Sequence, residues 1–173
     1  MSQEQLRVAV AQFPGSNDIV KNKQYILDLS RQAAEAKAEL VVFPEAAMCA
    51  FSSDLETLQA VAGEYSAAFI EFMQQLAQDH GFAVIVGVLN PSEQADDARV
   101  VNQLIAIGAD GQLITRYTKI HLYDAFSFKE SDKVQPATLY EDQRELSLFK
   151  LKGFNIGLVN CYDLRFPELS RKL

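Results

Sequence analysis

A chain of 173 residues, 49% of them hydrophobic and 23% charged, holds enough apolar material to bury a core. It is expected to fold as one domain over residues 1–173 rather than stay disordered. Its formal charge of -7 and pI near 4.8 would repel phosphate backbones and anionic lipid, and no basic run offsets them, which argues against nucleic acid and membrane surfaces as partners.

Leu6 to Phe13 is a short apolar run closed by Pro14-Gly15, the pattern of a buried central strand followed by a turn. The apolar part of Met1 to Phe13 is too short for a secretory core and lacks a cationic leader, and no later stretch reaches membrane-spanning length. A cytoplasmic location is therefore expected, with Cys49 and Cys161 as reduced thiols rather than a disulfide. From Asp18 to Lys37, the residues Ile19, Tyr25, Ile26, Leu29, Ala33 and Ala36 recur near helical spacing with charges between them. That predicts an amphipathic helix lying on a sheet. Leu40 to Phe43 reads as a second buried strand ended by Pro44, Tyr65 to His80 as a helix stopped by Gly81, and Ala83 to Leu89 as a third strand.

Val100 to Ile107 and Gln112 to Lys119 flank the tight-turn sequence Gly108-Ala109-Asp110-Gly111 and predict a hairpin. Ile120 to Ala137 is an irregular connection with several aromatics and charges, long enough to carry function. Leu146 to Leu151 and Phe154 to Asn160 form another hairpin turning at Lys152-Gly153, and a helix begins near Phe166. With no repeat or linker, these elements predict a mixed α/β sandwich.

Three polar residues sit where buried strands end: Glu45 after Val41-Val42-Phe43-Pro44, Lys119 after Leu113 to Thr118, and Cys161 after Ile156 to Asn160. Strand ends in α/β layers are where sites form. Singly, each has a bland explanation: a solvated cap, a solubilising charge and a small buried hydrophobe. Together they meet a chemical need. A thiol with an ordinary pKa of about 8.5 is mostly protonated at neutral pH and requires a base or a cation to act. Glu45 supplies a base, its pKa expected to rise through desolvation, and Lys119 a cation that balances the charge. An assembled site of this kind would be expected to depress the thiol pKa.

The words around these residues are more specific still. Phe43-Pro44-Glu45, Tyr117-Thr118-Lys119-Ile120-His121-Leu122 and Asn160-Cys161-Tyr162-Asp163-Leu164-Arg165-Phe166-Pro167-Glu168 resemble, in order, the three signatures of the nitrilase superfamily of carbon–nitrogen hydrolases. The resemblance runs over the whole chain. It implies an α-β-β-α sandwich, with Cys161 as nucleophile, Glu45 as general base and Lys119 as stabiliser of the tetrahedral intermediate. It further implies that the backbone N–H of Tyr162 helps hold the oxyanion and that no metal or organic cofactor is required. Phe128-Lys129-Glu130-Ser131 looks like the position of the family's second glutamate, which makes Glu130 a candidate for orienting Lys119 or the substrate. Otherwise it is an ordinary loop charge.

His121, two residues past Lys119, is assigned to packing or to supporting other site residues, and Cys49 to buried filler. Asp163 and Arg165 are most simply a local ion pair fixing the turn after Cys161; alternatively Arg165 faces the substrate and grips an anionic acid amide through its guanidinium fork. His80 suits the C-terminal end of a helix.

Two departures from the family stand out. Pro136-Ala137 replaces the proline–glycine common at the end of the lysine loop, and the chain ends at Leu173, inside the helix after Cys161, where family members continue. The resemblance therefore implies a sandwich incomplete at its C-terminus, with an open sheet edge and an uncovered apolar face that favour a homo-oligomer. The cysteine motif is closer to omega-amidase-like branches than to nitrilases. It points to cleavage of a small carboxylic acid amide to acid and ammonia, with nitrile hydrolysis as the alternative within the enzyme class. Outside that class stands a catalytically silent homologue acting as a binding or regulatory subunit. A thiol redox sensor explains less, since it needs neither Glu45 nor Lys119.

Overall fold

The computed structural model describes residues 5–51, 54–92, 94, 96–137 and 147–173. The first half alternates strand and helix: β1 (Val8–Val10), α1 (Ile19–Glu35), β2 (Leu40–Val42), α2 (Leu55–His80) and β3 (Ala83–Pro91). β1, β2 and β3 run parallel, as helical crossovers require. β4 (Val100–Ile107) and β5 (Leu113–Thr118) then add antiparallel strands, giving the order β1-β2-β3-β4-β5. The turn between β4 and β5 is the predicted one, with Gly111 at φ 78 donating its N–H to the Gly108 carbonyl.

Strand alternation divides the core. Val41, Val84, Val86, Ile105 and Ile107 pack with Ile26, Phe69 and Met73 from α1 and α2 on one face. Leu40, Ile85, Leu104, Ala106 and Tyr117 pack on the other against Phe149, Leu158 and Leu169. The second set comes from β9 (Leu148–Leu151), the segment after β10 (Phe154–Gly157), and α3 (Pro167–Lys172). β9 and β10 form a separate antiparallel hairpin, so helices, main sheet and hairpin lie in successive layers of the expected sandwich. The Ser147 hydroxyl donates to the Arg116 carbonyl at 2.5 Å, tying the hairpin layer to β5. Leu146, where the sequence pattern begins this hairpin, lies outside the described residues.

Three expectations are corrected. The run Leu6 to Phe13 yields only a three-residue strand, and β1 is not central: its one described neighbour is β2, and Val8 and Val10 are 46% and 80% exposed at the edge. α2 starts at Leu55, ten residues before the predicted Tyr65. Asp54 caps it by accepting from the Thr57 N–H at 2.7 Å, and buried Leu58 and Ala62 continue the stripe of Ser66, Phe69 and Met73 through Gly63, a weak helix former that packing overrides. The connection Ile120 to Ala137 is more ordered than its composition implies. It contains a small hairpin of β6 (Asp124–Ala125) and β7 (Phe128–Lys129), a 3-10 turn at Glu130–Asp132, and β8 (Val134–Gln135), which pairs with the start of β4. No helix among the described residues is long and apolar enough to cross a membrane.

One buried polar side chain fixes the entrance of α1 to the loop beyond β2. Asn22, fully buried, donates to the carbonyls of Ser16 (2.8 Å) and Met48 (3.0 Å) and accepts from the Ser16 N–H and hydroxyl. Asn22→Ala would strand those partners away from water, which costs about 1–3 kcal/mol. Urea denaturation should report a loss of that size.

Candidate active site

The site begins with how β2 ends. Phe43 still pairs with β3 through its N–H to the Ile85 carbonyl (2.8 Å), Pro44 then stops the strand, and Ala46 adopts a left-handed φ of 54. This turn lies directly on Gly87 of β3. A Cβ added there would stand 2.7 Å from the Ala46 nitrogen and the Pro44 oxygen, and 2.8 Å from the Glu45 Cα. Glycine at Gly87 therefore allows the backbone carrying Glu45 to sit where it does.

Glu45 reaches Lys119 at the end of β5. Lys119 is buried, with 1% of its side chain exposed, and its ammonium donates to Oε1 of Glu45 (2.8 Å) and to Oε1 and Oε2 of Glu130 (2.9 and 2.8 Å). Burial acts to lower the lysine's pKa, but the hydrogen bonds and charges of Glu130 and Glu45 outweigh it and the net direction is upward. The group stays an ammonium through the neutral range. Glu130 is buried and takes a further bond from the Tyr123 N–H (2.7 Å), which shapes the loop around its own carboxylate.

Cys161 follows β10 at the start of a 3-10 turn, Cys161–Arg165, with a left-handed φ of 51. A non-glycine residue held there stores about 1–3 kcal/mol of backbone strain, a feature concentrated at functional sites. Although the residue is exposed, loss of water around the sulfur is the largest influence on its thiol. Hydrogen bonding to Glu45 and that carboxylate's charge follow in the same direction, Lys119 opposes them, and the pKa is pushed up to about 11. This reverses the expected depression. Loss of water, joined by the local excess of negative charge where one ammonium faces two carboxylates, keeps the sulfur a thiol at rest.

Behind the cluster lies Asn102 of β4, fully buried and missed in the sequence reading. Its amide donates to Oε1 of Glu45 (2.8 Å) and Oε1 of Glu130 (3.2 Å), and its oxygen accepts from Asn160 (3.2 Å), the residue before Cys161. A polar residue inside the apolar run Val100–Ile107 was the available signal, because a buried amide needs partners.

The expected Asp163–Arg165 pair is a correction. Asp163 is fully buried and accepts from the Tyr117 hydroxyl (2.7 Å) and the His121 N–H (2.8 Å), with His121 Nδ1 at 2.7 Å. Burial and this carboxylate push the Tyr117 phenol strongly upward, keeping it a donor. His121 stacks on Phe166 with centroids 3.5 Å apart. Arg165 is exposed, and among the described residues no ion pair joins it to Asp163. Tyr162 sets its ring edge-on to Tyr123 and Phe166. Cys49 is buried, its sulfur 3.7 Å from the Ala50 carbonyl, and His80 ends α2 and stacks on Phe82. The structure thus gathers Glu45, Lys119, Glu130 and Cys161, with Tyr162 and Arg165 following on the cysteine turn. A depression of about 850 Å³ at the β1 edge, lined by Leu6, Arg7, Glu39 and Phe154 among others, contains none of them.

Residues 7–173 match the sequence profile described as Carbon-nitrogen hydrolase. The chain belongs to the carbon–nitrogen hydrolase family. Among similar proteins, a hydrolase of Mycobacterium tuberculosis is 38% identical over 170 residues, covering 97% of this chain and 56% of the relative. A deaminated glutathione amidase of Escherichia coli O157:H7 is 33% identical over 168 residues, covering 94% and 59%. The chain therefore spans somewhat over half the length of these curated relatives. An amidase from Nesterenkonia sp. shares the fold, with a TM-score of 0.83 at 22% identity over 99% of this chain and 61% of that one. The fold is that of nitrilase-superfamily amidases.

Two outcomes test the geometry. Glu45→Gln removes a hydrogen bond and a negative charge that both raise the Cys161 thiol and leaves the opposing Lys119 in place. The midpoint of its titration, followed by the Cβ chemical shift of Cys161, should fall below the native value of about 11. Gly87→Ala forces the Pro44–Ala46 backbone outward, an overpacking that costs about 1–3 kcal/mol. Calorimetry should detect that loss.

Proposed function

We propose that this domain hydrolyses a small carboxylic acid amide to acid and ammonia through a thioester on Cys161. The observation that carries the reading is the buried Lys119 ammonium, bonded at 2.8 Å to both Glu45 and Glu130, beside a cysteine on a left-handed turn. A thiol resting near 11 is a poor nucleophile until a neighbouring base removes its proton.

In the proposed cycle Glu45 takes the Cys161 proton as sulfur bonds to the amide carbon, and the carbonyl electron pair moves onto oxygen. The Lys119 ammonium and the Tyr162 backbone N–H stabilise that oxyanion, a kind of contribution often worth two to three orders of magnitude, or about 2.7–4 kcal/mol. Collapse breaks the carbon–nitrogen bond while protonated Glu45 gives its proton to the departing nitrogen. Water then attacks the thioester with Glu45 again accepting a proton, and the carbon–sulfur bond breaks to release acid and restore the thiol. Glu130 holds Lys119 in position. Arg165, exposed and joined by no ion pair to Asp163 among the described residues, serves to bind the substrate's own carboxylate. The similarity to an amidase named for deaminated glutathione supports an acid amide over a nitrile. Self-association belongs to the same reading, supported by the exposed Val8 and Val10 on the β1 edge.

Ammonia release from 2-oxoglutaramate and from a deaminated peptide amide should be lost in Cys161→Ala, and single-turnover trapping should place an acyl adduct on Cys161. Arg165→Ala should raise KM for these acid amides about tenfold, equivalent to roughly 1.4 kcal/mol, while leaving KM for a neutral amide unchanged. A folded sample that forms no adduct at Cys161 refutes the mechanism.

A further inference from the structure

Oε1 of Glu45 is held by two donors, Lys119 Nζ and Asn102 Nδ2, each at 2.8 Å. Two short bonds from different directions stop a carboxylate from turning about its own axis and occupy the oxygen that accepts them. The orientation of the Asn102 amide is itself fixed. Its oxygen accepts from Asn160 Nδ2 and its nitrogen faces Glu45 and Glu130, so turning it over would press a carbonyl oxygen against two carboxylates and a donor against another donor.

Asn102 also makes a backbone connection, its carbonyl accepting from the Lys119 N–H at 3.0 Å. One residue in β4 therefore contacts the turn after β2, the end of β5, the 3-10 turn of Glu130 and the residue preceding Cys161. It is fully buried and lies on the sheet face it shares with Leu104 and Ala106.

We propose that Asn102 is a positioning residue which, with Lys119, pins Oε1 of Glu45 and leaves Oε2 as the oxygen that exchanges the proton with Cys161. This deepens the amidase reading and rests on it. The charged and titratable groups around Glu45 are Lys119 from β5, Glu130 from its 3-10 turn and Cys161 from the cysteine turn. Asn102 is the neutral member that orders them. Its amide binds both carboxylates without adding charge, where a second lysine would cancel the negative charge Glu45 needs to act as a base.

The test uses the full chain and a readout that does not require turnover. The largest part of what Glu45 adds to the Cys161 thiol is a hydrogen bond that needs its carboxylate held against the sulfur, so the thiol midpoint, read from the Cys161 Cβ shift, reports that alignment. Asn102→Leu should lower the midpoint from about 11 to at least halfway toward the Glu45→Gln value. A midpoint equal to the native one overturns the proposal. Asn102→Ala removes the same donor without setting an apolar side chain against the carboxylates. It should move the midpoint the same way, and it decides the matter if Asn102→Leu does not fold: a native midpoint in Asn102→Ala then overturns the proposal.

Turnover gives a second discriminant. Asn102→Leu should reduce kcat for the acid amide ten- to a hundredfold with KM changed by less than about twofold, because Asn102 orients the base and does not touch substrate. An equal loss in KM overturns the positioning role. Native protein that releases no ammonia would sink the amidase reading alone, since the thiol midpoints still decide whether Asn102 aligns Glu45.

Discussion

The arrangement depends on a buried ammonium that has no exposed alternative. Lys119 has three N–H donors, and all three are directed at carboxylate oxygens, one on Glu45 and two on Glu130. Taking such a charge out of water is tolerable only when its partners are complete, and removing one member of a buried pair typically costs about 3–5 kcal/mol. The three segments must therefore arrive together. The turn over Gly87 delivers Glu45, β5 delivers Lys119, and the loop folded about the Glu130 carboxylate closes the third side.

A parallel clamp sets the cysteine. Tyr117 and His121 flank Lys119 at two residues on either side, and both bond the buried carboxylate of Asp163, two residues after Cys161. Tyr117 reaches this carboxylate from within β5, and His121 reaches it from the bend just past Lys119, so both sides of Lys119 are tied to the turn that carries the sulfur. Asn160 continues the link on the other side of Cys161 by reaching Asn102. The strained φ at Cys161 is held by hydrogen-bonded neighbours on both flanks, which is what a persistent strained residue requires.

Much of this was legible because punctuation and chemistry coincide. Pro44, Gly81, the Gly108–Gly111 turn and Lys152-Gly153 bound the strands and helices where the periodicities change, and Glu45, Lys119 and Cys161 stand at strand ends with recognisable neighbours. What was hidden depends on contacts between distant segments. α2 runs through Gly63 because Leu58 and Ala62 are buried, not because the local sequence favours helix there. The two-residue strands after Lys119 exist through pairing with each other and with β4. Asp163 and Arg165 suggested a local ion pair, yet a buried carboxylate is satisfied by whichever donors the fold brings, here Tyr117 and His121. Gly87 reveals itself only once it is known what lies above it, and Asn102 showed in the sequence only as a polar break in the apolar run Val100–Ile107.

The excess of negative charge explains how one cluster can both hold its cation and release it. At rest, two carboxylates share the Lys119 ammonium and the thiol stays protonated near 11. In the proposed cycle, the proton that leaves sulfur arrives on Glu45 and neutralises one of those carboxylates. The bond from Lys119 to Glu45 then loses its charge assistance, and a neutral acceptor holds a cation roughly half as strongly as an ionised one. The ammonium keeps Glu130 as its anchor and gains freedom to favour new negative charge on the substrate oxygen at the moment that charge forms. In that proposed cycle the second carboxylate couples activation of the nucleophile to stabilisation of the oxyanion through a single proton.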